Sequence, residues 1–199
     1  MQARYSTKMK NLLLVISGPA GSGKNTVSER LMQEFPTLKR VITSTSRSPR
    51  GEEKDGVDYH FLSKEDFEKS ISNDEFYEYA QVHDRYYGTS KKAILEAGTN
   101  DLILIIDVQG AASWRNIAKQ NPEIAERLTT IFIAPANEAE LRKRLLGRGT
   151  ETQEEIDRRM KTAIDEFKQA DKFDIKILSR TKEEDFEALK KVYLKLKES

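Results

Sequence analysis

The sequence predicts an α/β fold: a doubly wound parallel sheet core with an inserted mixed α/β region. Short apolar runs alternate with segments of helical periodicity, which is typical of strands buried on both faces of a parallel sheet. A glycine-rich loop joins the first apolar run to the first helical segment. Residues 44–90 break the alternation, so we expect them to form an insertion above the carboxyl edge of the sheet.

The individual elements follow from local patterns. Apolar or alternating residues predict strands at 12–16, 40–43, 75–82, 102–106, 129–134 and 175–178. Helical spacing predicts helices after the glycine-rich loop, behind a cap at Asn137 and at the end of the chain. Two capping boxes, Ser63 with Asp66 and Thr152 with Glu155, predict two further helix starts.

Length and composition limit the function. The 199 residues suit a single domain, 1–199. The 34 Lys and Arg balance 33 Asp and Glu, so no nucleic acid or membrane partner is indicated. The absence of cysteine excludes disulfides and favours a cytoplasmic protein. The oligomeric state is not indicated.

The glycine-rich loop, residues 17–26, reads SGPAGSGKNT. Its glycines allow a tight turn and close approach of backbone N–H groups to phosphate oxygens, and its lysine opens a helix. The spacing is that of the Walker A pattern, so the loop predicts a P-loop that binds a nucleoside triphosphate; a plain glycine-rich turn is the alternative. The candidate phosphate-binding residues are Gly18, Gly21, Ser22, Gly23, Lys24, Asn25 and Thr26.

One position in this loop departs from the pattern. Asn25 stands where Walker A loops carry a Ser or Thr that binds magnesium. We therefore do not expect position 25 to hold the metal through a hydroxyl. The next residue, Thr26, is expected to contact the α-phosphate instead.

Six stretches carry a resemblance to a known family. They are GPAGSGKNT (18–26), TSTSRSPRGEEKDGVDYHF (43–61), EFYEYAQV (75–82), YYGT (86–89), IDVQGA (106–111) and RLLGRGTET (144–152). In these stretches the sequence resembles the guanylate kinases from residue 17 to about residue 177. The resemblance implies a single guanylate-kinase-like domain with a P-loop core (10–43, 91–146 and 157–199), a GMP-binding insertion (44–90) and a short lid (147–156). It also implies Mg²⁺-dependent transfer of the γ-phosphoryl group of ATP to GMP, giving ADP and GDP in purine metabolism.

The resemblance also implies an acceptor site. Arginine forks such as those of Arg47 and Arg50 suit phosphate oxygens, although loop arginines are often only surface residues. Guanine presents two adjacent donors that one carboxylate can accept, so Glu78 is the matching residue. Taken alone, Glu78 is equally well a solvent-facing strand residue. The residues implied to bind GMP are Thr43, Arg47, Arg50, Tyr59, Glu78, Tyr87, Thr89 and Asp107.

Phosphoryl transfer needs cations on both sides of the transferring group. Lys24 and Mg²⁺ serve the donor side, and the resemblance implies that Arg144, Arg148 and Arg159 approach when the lid closes. Ion pairing on helix surfaces is the alternative for these arginines. Asp107 is expected to place the metal, directly or through water, or to orient the acceptor; capping the next helix is its alternative.

Two further departures from the family pattern affect the donor and metal sites. Ile105 stands where the family often carries a second acid, so Asp107 is expected to act alone. Ser179 and Arg180 replace the usual Asn and Asp, which leaves strict preference for ATP open. Two rival functions remain: a guanylate-kinase-like module that binds peptides, and a P-loop kinase with another acceptor.

Overall fold

The computed structural model describes residues 11–82, 84–135, 137–146 and 153–198, without the side chains of 138, 144–146, 153, 155 and 156. Its helices and strands are β1 (Leu13–Ser17), α1 (Lys24–Glu34), β2 (Leu38–Arg40), β3 (Ser44–Thr45), β4 (His60–Phe61), α2 (Lys64–Ser72), β5 (Phe76–Val82), β6 (Arg85–Ser90), α3 (Lys91–Leu95), β7 (Asp101–Ile105), α4 (Val108–Gln120), α5 (Pro122–Arg127), β8 (Leu128–Pro135), α6 (Glu138–Leu146), α7 (Gln153–Phe167), β9 (Ile175–Ser179) and α8 (Lys182–Lys197). No helix in these ranges has the length and apolar character needed to cross a membrane.

A five-stranded sheet forms the centre of the fold. Its strand order is β2-β7-β1-β8-β9, and every neighbouring pair is parallel. The middle strand, β1, is completely buried, as expected for a strand with helices on both sides. The predicted doubly wound sheet is therefore confirmed.

Each face of this sheet packs against its own helices. On one face, Leu31 of α1 and Phe186 of α8 are buried against Leu14 of β1. On the other face, Trp114 of α4 and Ile124 of α5 lie in a second buried cluster with β1 and β7. The apolar periodicity predicted for the closing helix is confirmed.

A second, mixed sheet lies within residues 44–90. Its order is β4-β3-β6-β5, with β3 and β4 parallel and the other pairs antiparallel. The Phe67 ring of α2 stacks on Phe76 and on Tyr86, with ring centroids 4.5 and 5.2 Å apart. Tyr77 of β5 contacts Trp114 of α4 at 5.4 Å, so this sheet is anchored on the central one.

The predicted strand at 40–43 is wrong in its bounds. The chain pairs with β7 only over Leu38–Arg40, with one more bond from the Val41 amide to Ile103. The chain then leaves the central sheet, and the Thr43 carbonyl accepts a hydrogen bond from the His60 amide beside the second sheet. The sequence pattern does not show this change of sheet, because the chain bonds to a strand both before it (β7) and after it (β4).

Local caps explain several helix starts. The Ser63 side chain accepts from the Asp66 amide and Asn137 accepts from the Glu140 amide, as predicted. Helix α5 was not predicted, although it begins with an Asn121 cap followed by Pro122 at its first position. The capping box predicted at Thr152 lies outside the described residues. So do residues 147–152 of the predicted lid, and the division into core, insertion and lid stays a prediction.

Candidate active site

The glycine-rich loop follows β1 and leads into α1 at the carboxyl end of the sheet. Gly18 has a φ of +147°, and a Cβ atom placed there would lie 1.9 Å from the carbonyl oxygen of Ile133. Only a glycine fits this close approach to β8. Close packing against a central strand therefore fixes the start of the loop.

The amino end of α1 has the features of an anion site. Its first residue follows Gly23, which supplies no side-chain cap, and the first turn contains no acidic residue. The neighbouring helices α2 and α4 are instead capped by Ser63 and Asp107. The Lys24 ammonium donates to the carbonyls of Gly18 at 2.9 Å and Pro19 at 3.2 Å. Uncapped amides and a nearby ammonium group suit a phosphate.

A cavity of about 310 Å³ lies beside this loop. Its lining residues are Gly21, Gly23, Thr26, Val27, Glu140, Arg180, Lys182 and Asp185. The buried Asp185 carboxylate accepts from the Ser179 hydroxyl and from the Arg180 amide. Hydrogen bonds to Asp185 therefore engage both positions that depart from the family pattern.

A second cavity, of about 260 Å³, lies between the mixed sheet and the carboxyl end of β7, and we call it the acceptor cleft. Its lining residues are Thr43, Tyr59, Glu78, Ala80, Val82, Tyr87, Gly88, Ile105, Ile106, Asp107 and Gly110. Five of the eight predicted GMP-binding residues are in this lining. They come from separate segments that the fold brings together.

Glu78 and Thr89 face each other across β5 and β6. The Thr89 hydroxyl, which is fully buried, donates to Glu78 Oε1 at 2.6 Å. Burial raises the pKa of Glu78, and the hydrogen bond from Thr89 opposes that shift. Glu78 is therefore a half-buried, oriented carboxylate that lines the acceptor cleft.

Arg47 is buried, and its guanidinium pairs with Glu53. Nη1 and Nη2 donate to the two Glu53 carboxylate oxygens at 2.6 and 2.8 Å. The guanidinium carbon also lies 4.9 Å from the centre of the Tyr59 ring, which lines the acceptor cleft. Arg50 is exposed, and its amide donates to the same Glu53 carboxylate at 2.8 Å. Both predicted arginines therefore donate hydrogen bonds to Glu53, a residue that the sequence analysis did not single out.

Asp107 caps a helix at the edge of the acceptor cleft. It follows β7, and its Oδ1 accepts from the Gly110 amide at 2.8 Å, which caps α4. The side chain is nevertheless exposed and lines the acceptor cleft. The capping alternative is observed, and it fixes the carboxylate at the edge of the cleft.

Glu166 of α7 is a second residue that the sequence analysis missed. Burial raises its pKa to about 7, the charge of Lys24 lowers it, and the charge of Asp107 raises it. Glu166 and Asp107 also line one pocket. The Glu166 carboxylate is therefore influenced by the charges of both the phosphate loop and the edge of the acceptor cleft. The one available signal was helical spacing, because Arg159 lies seven residues earlier and on the same face.

Of the three predicted lid arginines, the structure describes the side chain of Arg159 only. Arg159 is half-buried on α7. Arg144 belongs to α6, but its side chain is outside the described part of the chain, as is the whole of Arg148. Their roles stay predictions.

The fold and the site define a P-loop α/β protein of the kinase type, with a phosphate loop and a separate acceptor cleft at the same sheet edge. The sequence model of the family described as guanylate kinase matches residues 10–196. The guanylate kinase of Clostridioides difficile is 44% identical over 167 residues, which cover 83% of this chain and 78% of the relative. That of Campylobacter jejuni is 39% identical over 190 residues, covering 94% and 89%.

A solved structure gives the same result. The crystal structure of guanylate kinase from Anaplasma phagocytophilum superposes with a TM-score of 0.75 at 26% identity, covering 96% of this chain and 89% of that one. The chain belongs to the guanylate kinase family, which comprises nucleoside monophosphate kinases that transfer a phosphoryl group from ATP to GMP.

Proposed function

We propose that this chain binds ATP at the phosphate loop and GMP in the acceptor cleft, and transfers the γ-phosphoryl group between them to give ADP and GDP. The observation that carries this proposal is the meeting of the two sites at one sheet edge. Strands β1 and β7 are parallel neighbours, so the loop after β1 and Asp107 after β7 lie side by side. A donor and an acceptor bound there are close enough for direct transfer.

On the donor side, the loop amides and Lys24 bind the β- and γ-phosphates, and Thr26 contacts the α-phosphate. The cavity beside the loop would take the nucleoside of ATP. The Ser179 hydroxyl and the Arg180 backbone amide donate to Asp185 there. Because these two residues replace the Asn and Asp usual in the family, we do not expect strict selection of adenine.

On the acceptor side, Arg47 and Arg50, with the hydroxyls of Tyr59 and Tyr87, hold the GMP phosphate. Guanidinium groups bind phosphate dianions with charge-assisted hydrogen bonds. The Tyr59 and Tyr87 rings contact each other at 6.3 Å, so both hydroxyls belong to one aromatic cluster beside Arg47.

Guanine is selected by the Glu78 carboxylate, with Thr43 and Thr89 beside it. The carboxylate accepts from the N1–H and 2-amino groups of guanine. Adenine lacks this donor pair, so the half-buried Glu78 carboxylate facing adenine would be desolvated by the base and left unpaired with it. The hydrogen bond from the Thr89 hydroxyl holds the Glu78 carboxylate in place.

The residues present also suit Mg²⁺. The described residues contain no cluster of three His, Asp or Glu side chains that could enclose a metal. Mg²⁺ in kinases is instead held by one or two carboxylates together with substrate phosphates and water. Asp107 would hold it, directly or through water, with Glu166 nearby. When bound, the ion neutralises charge on the β- and γ-phosphate oxygens.

Transfer itself requires positioning and charge neutralisation. The acceptor phosphate is already an anion, so no general base is needed. Arg144, Arg148 and Arg159 approach the transferring group from the lid side and stabilise its equatorial oxygens. We further propose that the protein acts in the cytoplasm, where ATP and GMP are available.

A coupled assay with ATP, Mg²⁺ and each of GMP, AMP, UMP and CMP tests the proposal. We expect GMP alone to be phosphorylated efficiently, and chelation of Mg²⁺ to abolish turnover. Efficient phosphorylation of another monophosphate would favour a kinase with a different acceptor. Absence of any diphosphate product would favour the peptide-binding module.

A further inference from the structure

We infer that Glu53 is a positioning residue, which holds the Arg47 guanidinium in the orientation that binds the acceptor phosphate. This inference rests on the proposed role of Arg47. Glu53 lies six residues after Arg47 in the loop between β3 and β4 (residues 46–59), which we call the arginine loop. The Glu53 side chain is 26% exposed, while that of Arg47 is 5% exposed. The ion pair is therefore one of the more buried in the described part of the chain.

The contacts fill one particular edge of the guanidinium. Glu53 accepts from Nη1 at 2.6 Å and from Nη2 at 2.8 Å, so both oxygens bind the end of the fork. The other Nη1 proton goes to the Ser48 carbonyl at 3.0 Å. A guanidinium has five N–H donors. The donors that these contacts leave are Nε–H and the second Nη2–H, which form the side edge.

This side edge is itself a bidentate donor. Two parallel N–H groups match two oxygens of a phosphate. The Arg47 guanidinium carbon lies over the Tyr59 ring, 4.9 Å from its centre, so the ring packs against the guanidinium group. Glu53 thus blocks the end edge and directs phosphate to the side edge.

Glu53 also joins the two arginines of the clamp. The same oxygen that accepts from Arg47 Nη1 accepts from the Arg50 amide at 2.8 Å. The backbone of the arginine loop is therefore fixed relative to the Arg47 guanidinium. An arginine side chain that is ordered before binding loses less rotamer entropy when the phosphate arrives.

The negative charge of Glu53 opposes phosphate binding, whereas its positioning of Arg47 favours it. A carboxylate beside the clamp repels a phosphate dianion and reduces the positive charge that Arg47 and Arg50 present. If repulsion dominated, removing the Glu53 charge would strengthen GMP binding. If positioning dominates, as we infer, removing it weakens binding, so the sign of the change separates the two effects.

Glu53→Gln tests the inference, with Glu52→Gln as the matched control. Glu52 is the exposed neighbour in the same loop, so its substitution removes the same charge without touching Arg47. We expect Glu53→Gln to raise the KM for GMP about tenfold, since one charge-assisted hydrogen bond is lost. The kcat and the KM for ATP should stay near wild type, the Tm should fall by only about 2–4 °C, and Glu52→Gln should leave the KM for GMP unchanged.

A lower or unchanged KM for GMP in Glu53→Gln would overturn the inference, as would an equal rise in Glu52→Gln. Arg47→Lys separates this result from a failure of the proposed function, because it keeps the charge and removes the fork. If Arg47→Lys leaves GMP binding intact, the phosphate role of Arg47 is wrong. If it weakens binding, adding Glu53→Gln should have little further effect, because the positioned group is already gone; an additive effect would contradict positioning.

Discussion

The two regions that we propose to bind phosphate are built in different ways. In the phosphate loop, the binding groups are backbone amides, and close packing of Gly18 against Ile133 fixes the loop. In and beside the acceptor cleft, the proposed binding groups are side chains, and hydrogen bonds such as Arg47 to Glu53 and Thr89 to Glu78 fix them. One site depends on backbone geometry and the other on side-chain networks.

This difference determines how each region can be recognised and disrupted. A backbone site needs contiguous residues, so a short motif identifies it. A side-chain site needs a folded arrangement, because its groups come from the arginine loop, β5 and β6. We expect a single substitution to abolish function at the first site and to reduce affinity or selectivity at the second.

Lys24→Ala should have the largest effect. Removing the ammonium group eliminates a charge at the developing phosphate oxygens, so kcat should fall by about 10³-fold. Binding of GMP and the Tm should be retained, because Lys24 is not among the residues that line the acceptor cleft. Steady-state kinetics and GMP titration check this, with the exposed Lys64→Ala as control. Near wild-type turnover would remove Lys24 from the mechanism.

Gly18→Ala should destabilise the fold strongly. The new methyl group would lie 1.9 Å from a backbone oxygen of a central strand, so the loop must shift. We expect a loss of about 3 kcal/mol or more in the free energy of unfolding. Gly23→Ala is the matched control, since no atom lies within 4 Å and only the positive φ opposes it. It should cost about 1–2 kcal/mol. Equal losses in urea unfolding would contradict the packing argument.

Glu78→Gln should act on selectivity. The amide keeps the shape but offers one acceptor where the carboxylate offers two, so guanine loses a hydrogen bond. We expect the ratio of kcat/KM for GMP over AMP to fall by about 10²-fold, within the range of a lost buried hydrogen-bonding pair. Glu75→Gln, at an exposed position just before β5, should leave the ratio unchanged. An unaltered ratio in Glu78→Gln would rule out this role.

The sequence predicted the backbone site better than the side-chain site. The loop at 17–26 and the buried strands around it are local patterns, and the structure has them close to the predicted bounds. The strand at 40–43 failed because the chain changes sheets after Val41, and that change depends on tertiary partners. Local periodicity contains no information on which sheet a strand joins.

The same limit explains the missed residues. Glu53 follows Glu52, and no pattern distinguishes the carboxylate that pairs with Arg47 from its exposed neighbour. Glu166 lies far along the chain from Lys24 and Asp107, and only folding places it near them. The family resemblance indicated which residues belong to the acceptor cleft, but not that Glu53 orients one of them.

Acidification should produce the smallest effect, and it tests the side-chain network directly. The hydrogen bond from Arg47 lowers the pKa of Glu53 from 4.5 to about 2. Because the folded-state pKa is depressed, the stabilisation is complete above about pH 4.5 and is lost as the pH falls towards 2. Glu53→Gln should therefore be less stable than wild type by about 1 kcal/mol at pH 6, and this difference should shrink below pH 4.5. Urea unfolding from about pH 6 to about pH 3.5 measures it. A difference that does not change with pH would mean that the pair does not stabilise the loop through charge.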